Sequence, residues 1–347
     1  MIKSQQQLKQ TIIRNCRISD AKYADNYTLC IYLLKMREFY RWEHHVPFGT
    51  KLSNDDIGNW LMQRESEWDD LEDQDFSNIE INGQKISHFD SEKINLNLEE
   101  NNLIYSAGYG TYNKPVFVLA DLISKTSFED YQLYICGKEY ARELGAPPGM
   151  CQDNDIFIRQ ESLQRYIWEK YEESHWYNED NALARALGCY DFKNKPQESV
   201  EQMAAVEADT VLYHEIGEIQ SNQIVGNQWS EMMVNIPRSK TEFLLRAVKD
   251  HLADAKSTLP RLIENNDESQ IHFYFANFTA MRREIFPSLL QAYQQWLNNK
   301  DLSTLEKFSA QSDKHWQSVA QTVLNLYHQK DKTNFKQINQ YVMKNML

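Results

Sequence analysis

The pattern of hydrophobic and polar residues changes twice along the chain, and these changes divide it into three regions. In the first region, up to about residue 100, residues 26–43 are apolar on nearly all sides, which predicts a buried helix. A second helix is predicted over residues 54–71, with Ser53 or Asn54 as its N-cap. The first region is therefore expected to be helical.

Short apolar runs rich in aromatic and β-branched residues mark the second region, residues 103–160, where Gly, Asn and Pro separate the runs. Such runs predict strands, here over residues 103–107, 116–119 and 131–136, joined as an antiparallel meander. Residues 156–158 form a candidate fourth strand.

Helical spacing returns in the third region, after a polar linker at residues 191–196, and glycine nearly disappears beyond Gly226. Successive helices joined by short polar loops predict an up-and-down helical bundle. Pro287 is expected to kink one of these helices. The predicted helices span residues 201–225, 239–257, 269–297 and 302–328.

These regions together predict an α+β fold, in which a helical N-terminal part with a small antiparallel β-meander precedes an all-α bundle. We expect a mixed domain over residues 1–192, with its sheet at about 103–160. The helical bundle is expected over residues 200–330, and residues 331–347 are expected to be a tail.

Composition narrows the classes of function open to the chain. Of its 347 residues, 41% are hydrophobic and 12% aromatic, enough to form a substantial core. The formal net charge of −13 repels phosphate backbones, so we expect no nucleic-acid partner. No apolar run is long enough to span a membrane, and the first residues lack the apolar segment of a secretory signal.

Cysteine usage indicates a reducing compartment. The five cysteines are widely spread and include no Cys-x-x-Cys pair, which argues against a cysteine zinc site and against a disulfide framework. We therefore expect a cytoplasmic protein with reduced thiols. The small-molecule or protein partner stays open at this stage, as does assembly into a homo-oligomer.

Candidate chemistry is concentrated in the segment LYHEIGE, residues 212–218. At about 100° per residue, Glu215 falls inside the apolar arc of its predicted helix, and His214 and Glu218 lie along one margin. On the next predicted helix, His251 and Asp254 both fall inside the apolar arc. Buried charged groups are costly unless they are paired or bind a metal.

If the two helices are antiparallel neighbours, they bring His214 and Glu218 opposite His251 and Asp254. These four side chains are the predicted metal ligands, and Glu215 is the predicted catalytic base or a further ligand. Imidazole and carboxylate ligands suit Zn, Fe or Mn. The string His-Glu-x-x-Glu also approaches the zinc-protease pattern His-Glu-x-x-His, but Glu218 replaces its second histidine.

Two functions therefore stay open. One is a metal-binding bundle protein with redox or hydrolytic chemistry, and the sequence does not decide whether it is an enzyme. The other is a non-enzymatic binding or assembly protein, in which the same residues form a buried hydrogen-bond network.

Nearly the whole chain resembles a bacterial, mainly proteobacterial, family of uncharacterised proteins. The resemblance rests on the segments YTLCIYLLKMREFYRWE, DNALARALGCYDF, LYHEIGE, DHLADAKSTLP and HFYFANFTAMRREIFP. It implies a soluble bacterial protein of unknown function. It implies no activity and no catalytic residues, so the site prediction depends on residue spacing alone.

Overall fold

The computed structural model describes residues 2–110, 114–176, 180–237, 239–328 and 335–347. The chain forms two compact units, each built from two segments. The first unit comprises Met1–Trp176 and Asp191–Ala205, and the second comprises Tyr177–Tyr190 and Val206–Leu347. The predicted α+β class is confirmed, because helices and two small sheets precede a helical C-terminal part.

Helices of the first unit agree with the hydrophobic pattern. The side chain of Ser53 accepts a hydrogen bond from the backbone N–H of Asp56, which confirms Ser53 as the cap of its helix. The second predicted helix has the predicted bounds, and the first begins a few residues later than predicted. The helices are α1 (Ile2–Tyr23), α2 (Leu29–Glu43), α3 (Asn54–Leu71), α4 (Ser91–Asn95) and α5 (Gln160–Ser174).

Two sheets lie in the first unit, a two-stranded hairpin and a five-stranded sheet. The larger sheet has the order β3-β4-β5-β7-β6, and its first three strands form the predicted antiparallel meander. The strands are β1 (Ile79–Ile81), β2 (Gln84–Ile86), β3 (Leu103–Tyr109), β4 (Pro115–Ser127), β5 (Gln132–Ala141), β6 (Gly149–Gln152) and β7 (Asp155–Arg159).

One strand pair of the larger sheet is parallel. Strand β7, the candidate fourth strand, pairs parallel with β5 and antiparallel with β6. A tight turn at Asp153, whose φ is 52°, joins β6 to β7. This hairpin returns the chain beside β5 in the same direction, which period-two spacing alone does not reveal.

Helices dominate the second unit and surround a hydrophobic core. Trp296, Trp316, Phe278 and Phe286 are among its most buried side chains. The helices are α6 (Ala182–Gly188), α7 (Pro196–Asn235, which begins in the first unit), α8 (Lys240–Ala253), α9 (Leu259–Asn265), α10 (Glu268–Ala276), α11 (Ala280–Ile285), α12 (Pro287–Asn299), α13 (Ser303–His328) and α14 (Phe335–Lys344).

Three differences from the predicted helices have local causes. The helix predicted over 269–297 is divided into α10, α11 and α12, and Pro287 begins the last of these, where its missing N–H costs nothing. Helix α7 begins before residue 201 and continues past the predicted end at residue 225 to Asn235, across a non-helical break at Gly226, whose φ is 63° and ψ is −169°. Within the predicted tail, residues 331–334 lie outside the described residues, and Phe335–Lys344 forms α14 with Ile338 and Val342 buried.

Candidate metal centre

A glycine allows close contact between α7 and the end of α8. A Cβ atom placed on Gly217 would overlap the backbone carbonyl of Ala253, the last residue of α8. One residue further, at Asp254, the α-helix changes to a π-helical segment that continues to Thr258. The close approach places His214, three residues before Gly217 on the same helix, against Asp254.

Asp254 is a buried carboxylate with both oxygens engaged. Its Oδ1 lies 3.0 Å from His214 Nδ1, and its Oδ2 accepts hydrogen bonds from Tyr274 Oη, at 2.8 Å, and from Arg282 Nη2. Burial alone would raise the pKa of Asp254, but the charges of Arg282 and His214 hold that pKa below its usual range. Asp254 is therefore an ionised partner of His214 and Arg282 whose oxygens are already occupied.

His214 is held in one orientation by Asp254. Because the carboxylate accepts from Nδ1–H, the other ring nitrogen, Nε2, is left to bind an ion or a proton. Burial lowers the pKa of His214, but the bond to Asp254 and the charges of Glu218 and Glu215 outweigh it and raise the pKa to about 10. The His214 side chain is 34% exposed, so solvent screens part of this effect.

The structure brings a third side chain, Asp250, to the two ligands predicted on α7. One ligand atom each from His214, Glu218 and Asp250 lies within 4.8 Å of the other two. Glu218 stands one turn after His214 on α7, and its Oε2 accepts from Lys249 Nζ at 2.8 Å. This group of three is called the His214 cluster below.

His251 does not belong to the His214 cluster, although it was predicted as a ligand. Its inward direction is confirmed by an exposure of 1%, but its Nε2–H donates to the Arg282 carbonyl at 3.1 Å. The ring stacks on Trp316 with centroids 4.8 Å apart and meets the edges of Phe278 and Phe286. Burial and the charge of Arg282 lower the pKa of His251 to about 3, so the ring is neutral and serves packing.

Glu215, the predicted base, is buried beside the cluster. Burial raises the pKa of Glu215 to about 7 and the Glu218 charge adds to this, while His214 and Lys249 act in the opposite direction. A carboxyl group that titrates near neutral pH can both accept and donate a proton under physiological conditions.

Sequence reasoning missed Asp250, Tyr274 and Arg282. The signal for Asp250 was present, since it precedes Asp254 by four residues and such residues share a helix face. Tyr274 and Arg282 come from α10 and α11, and no periodicity within one helix connects them to Asp254.

Comparison with known proteins identifies a family but no function. Two models match the chain, the N-terminal domain of a family of unknown function (DUF6866) over residues 7–159 and the C-terminal domain of that family over residues 164–345. No curated protein and no solved structure shows significant similarity to the chain. Within the described residues, no helix has the length and apolar character needed to cross a membrane.

Proposed function

Because the chain belongs to DUF6866, a family of unknown function, we propose its function from the site alone: the second unit binds a divalent metal ion through the His214 cluster. The observation that carries this proposal is the convergence of His214, Glu218 and Asp250 within 4.8 Å, with His214 oriented by a buried carboxylate. Asp250 replaces His251 and Asp254 in the predicted ligand set.

Asp254 supports the proposal as the partner of a ligand. Metal-binding histidines commonly donate their second N–H to a carboxylate, which fixes the ring and strengthens its bond to the ion. Asp254 has this position relative to His214. Two ligands bound to one ion at about 2.1 Å each lie at most ~4.2 Å apart, so side-chain shifts of less than about 1 Å would complete the site.

The ligand set favours particular ions. One imidazole and two carboxylates form a harder site than the predicted set of two imidazoles and two carboxylates, so the ligand types suit Mn²⁺ or Fe²⁺ as well as Zn²⁺. Three protein ligands leave positions open for water or substrate, as in catalytic metal sites. Glu215, whose pKa of about 7 suits it to accept a proton near neutral pH, would act as the general base if a metal ion were bound, and metal-assisted hydrolysis is the reaction class that we propose.

A second candidate is a non-enzymatic binding or assembly protein in which these residues form only a network. The observation in its favour is that the charges already have partners within the chain. Lys249 binds Glu218, and Arg282 and Tyr274 bind Asp254. In this case the cluster would stabilise the helices and bind no ion.

Metal analysis distinguishes the two candidates. Protein purified without a nickel tag would be analysed for metal, stripped with chelator, and titrated calorimetrically with Mn²⁺, Fe²⁺ (without oxygen) and Zn²⁺. We expect binding of one ion per chain and a rise in melting temperature on binding. Absence of stoichiometric metal in the purified and the reconstituted protein, with no effect of chelator on melting, would reject the metal site.

Variants separate a ligand from a structural residue. Asp250→Asn removes one charge from a cluster of neighbouring carboxylates, so the metal-free variant should melt at or above the wild-type temperature while its metal affinity falls at least tenfold. Asp209→Asn, exposed on α7, is the matched control and should leave both quantities unchanged. If metal-free Asp250→Asn lost stability while its metal affinity stayed unchanged, the result would favour the network.

A further inference from the structure

A small cavity lies in the first unit, far along the sequence from the His214 cluster. It has a volume of about 200 Å³ and opens between α1, α2 and β5. Its walls combine aromatic rings, from Phe39, Trp42 and Tyr140, with charged groups. The rings of Phe39 and Trp42 pack against each other with centroids 5.0 Å apart.

Arg142 lines this cavity and lacks a full set of acceptors. The residue is 5% exposed, and its Nε donates to the Glu143 carbonyl at 3.2 Å. Its Nη1 is buried without a hydrogen-bond partner among the described residues. The same holds, within that part of the chain, for Nε1 of Trp42, whose ring centroid is 5.6 Å from Arg142 Cζ. Buried donors without acceptors are rare and costly, and charged ones most of all.

The acidic groups at the cavity do not neutralise Arg142 fully. Glu139 directs Oε1 to Arg159 and Ser162, at 2.8 and 2.7 Å, and its Oε2 is 3.8 Å from Arg142 Nε, beyond hydrogen-bond distance. Glu43 accepts from Arg64 and Trp60. Glu43 therefore serves other donors, whereas Glu139 Oε2 has no hydrogen-bond partner among the described residues and makes only a loose ion pair with Arg142.

Among the cations that line the cavity are Arg142 and Lys138. Burial lowers the pKa of Arg165, and the nearby positive charge of Arg142 lowers it further. Lys138 lies at the rim, exposed, with its Nζ 5.7 Å from the centre of the Tyr140 ring. An anion between Arg142 and Lys138 would meet positive charge on both sides.

We propose that this cavity binds a small aromatic carboxylate. The carboxylate accepts from Arg142 Nη1 and Trp42 Nε1, and the ring packs against the aromatic walls. The size agrees, because an apolar cavity of about 150 Å³ holds benzene and the additional volume here accommodates a carboxylate. The proposal is independent of the metal site, which lies in the other unit.

Calorimetric titration of the full chain with benzoate tests the proposal, with benzamide and inorganic phosphate as comparison ligands. We expect saturable binding of one benzoate per chain, with benzamide and phosphate each at least tenfold weaker. No saturable binding of benzoate at tens of millimolar would reject the site. Equal affinity for benzamide would reject recognition of the charge, and equal affinity for phosphate would reject recognition of the ring.

Variants test the two donors. Trp42→Phe keeps an aromatic ring and removes the N–H, and it should weaken benzoate binding about tenfold or more. Trp68→Phe is the matched control, since Trp68 Nε1 is also buried without a partner in the described ranges but does not line the cavity. Arg142→Gln should abolish binding while its far-ultraviolet circular dichroism stays native. Unchanged affinity in folded Trp42→Phe and Arg142→Gln proteins would overturn the proposal.

Discussion

Replacing Glu207 with glutamine should remove a large pH dependence of stability. Glu207 lies on α7 and is fully buried, and neither carboxyl oxygen has a hydrogen-bond partner among the residues that the structure describes. Thr210 interacts with the carboxyl group, but its hydroxyl does not meet hydrogen-bond geometry. Burial, with a smaller effect of Asp267, raises the pKa of Glu207 from 4.5 to about 8.

The sign follows from proton binding. Between pH 4.5 and about pH 8 the folded chain holds a proton on Glu207 and the unfolded chain does not, so the free energy of unfolding falls as pH rises through this window. The shift is 8 − 4.5 = 3.5 pKa units, which at about 1.36 kcal/mol per unit gives a limit of ~5 kcal/mol. Relaxation around the carboxylate will reduce the measured value, so about 2 to 5 kcal/mol is expected.

Urea unfolding at pH 5, 7 and 9 measures this contribution. The readout is the stability of Glu207→Gln minus that of the wild type, because other titrating groups cancel in the difference. This difference should rise with pH, leaving the variant the more stable protein at pH 9. Asp209→Asn, exposed on the same helix, should show no such trend. A difference for Glu207→Gln that stays constant within ~0.5 kcal/mol over the range would refute the reasoning, since it would mean that Glu207 ionises normally in the folded state.

Three further variants test the backbone and the buried charges of the second unit. Gly217→Ala should lower the free energy of unfolding, measured in urea, by about 1–3 kcal/mol, because overlap with α8 outweighs the better helix propensity of alanine. Gly58→Ala, where nothing lies within 4 Å, should not lower it. Equal effects of the two variants would contradict the close approach of α7 and α8. Asp254→Asn should lower stability by ~3–5 kcal/mol by leaving Arg282 without its counter-charge, and a melting temperature near wild type would argue against their pairing. Gly226→Ala should cost about 1–3 kcal/mol, and a stabilised variant would mean that α7 is continuous there.

The fold was predictable where the buried residues of a single helix or strand recur at a regular spacing in the sequence. Helix α3 and strands β3 to β5 were found because each presents a continuous apolar pattern to its own core, and Ser53 marks its helix start chemically. The parallel pairing of β7 with β5 was not predictable, because the choice of partner depends on contacts between distant segments. The same limit hid the division of residues 269–297 into separate helices.

For the site, helical phasing identified which side chains face inward but not what surrounds them. It placed His251 and Asp254 inside correctly, and both are 1% exposed. The directions of side chains around one helix cannot show that aromatic rings from other helices enclose His251. They also cannot show that Arg282 donates a hydrogen bond to the carboxylate of Asp254. Helical phasing did not select Asp250, a partly exposed residue whose side chain reaches the His214 cluster.

The π-helical segment at Asp254–Thr258 has a consequence for insertions and deletions in this family. A π turn contains one residue more than an α turn, so Leu259 and the residues after it point about 100° away from the direction that an unbroken helix would give them. A relative lacking one residue here would have a more regular helix. Its α9 side chains would keep their directions, because loss of one residue and loss of the π turn shift them by the same amount in opposite senses, so a gap placed in this segment alters local packing while the residues presented beyond it are preserved.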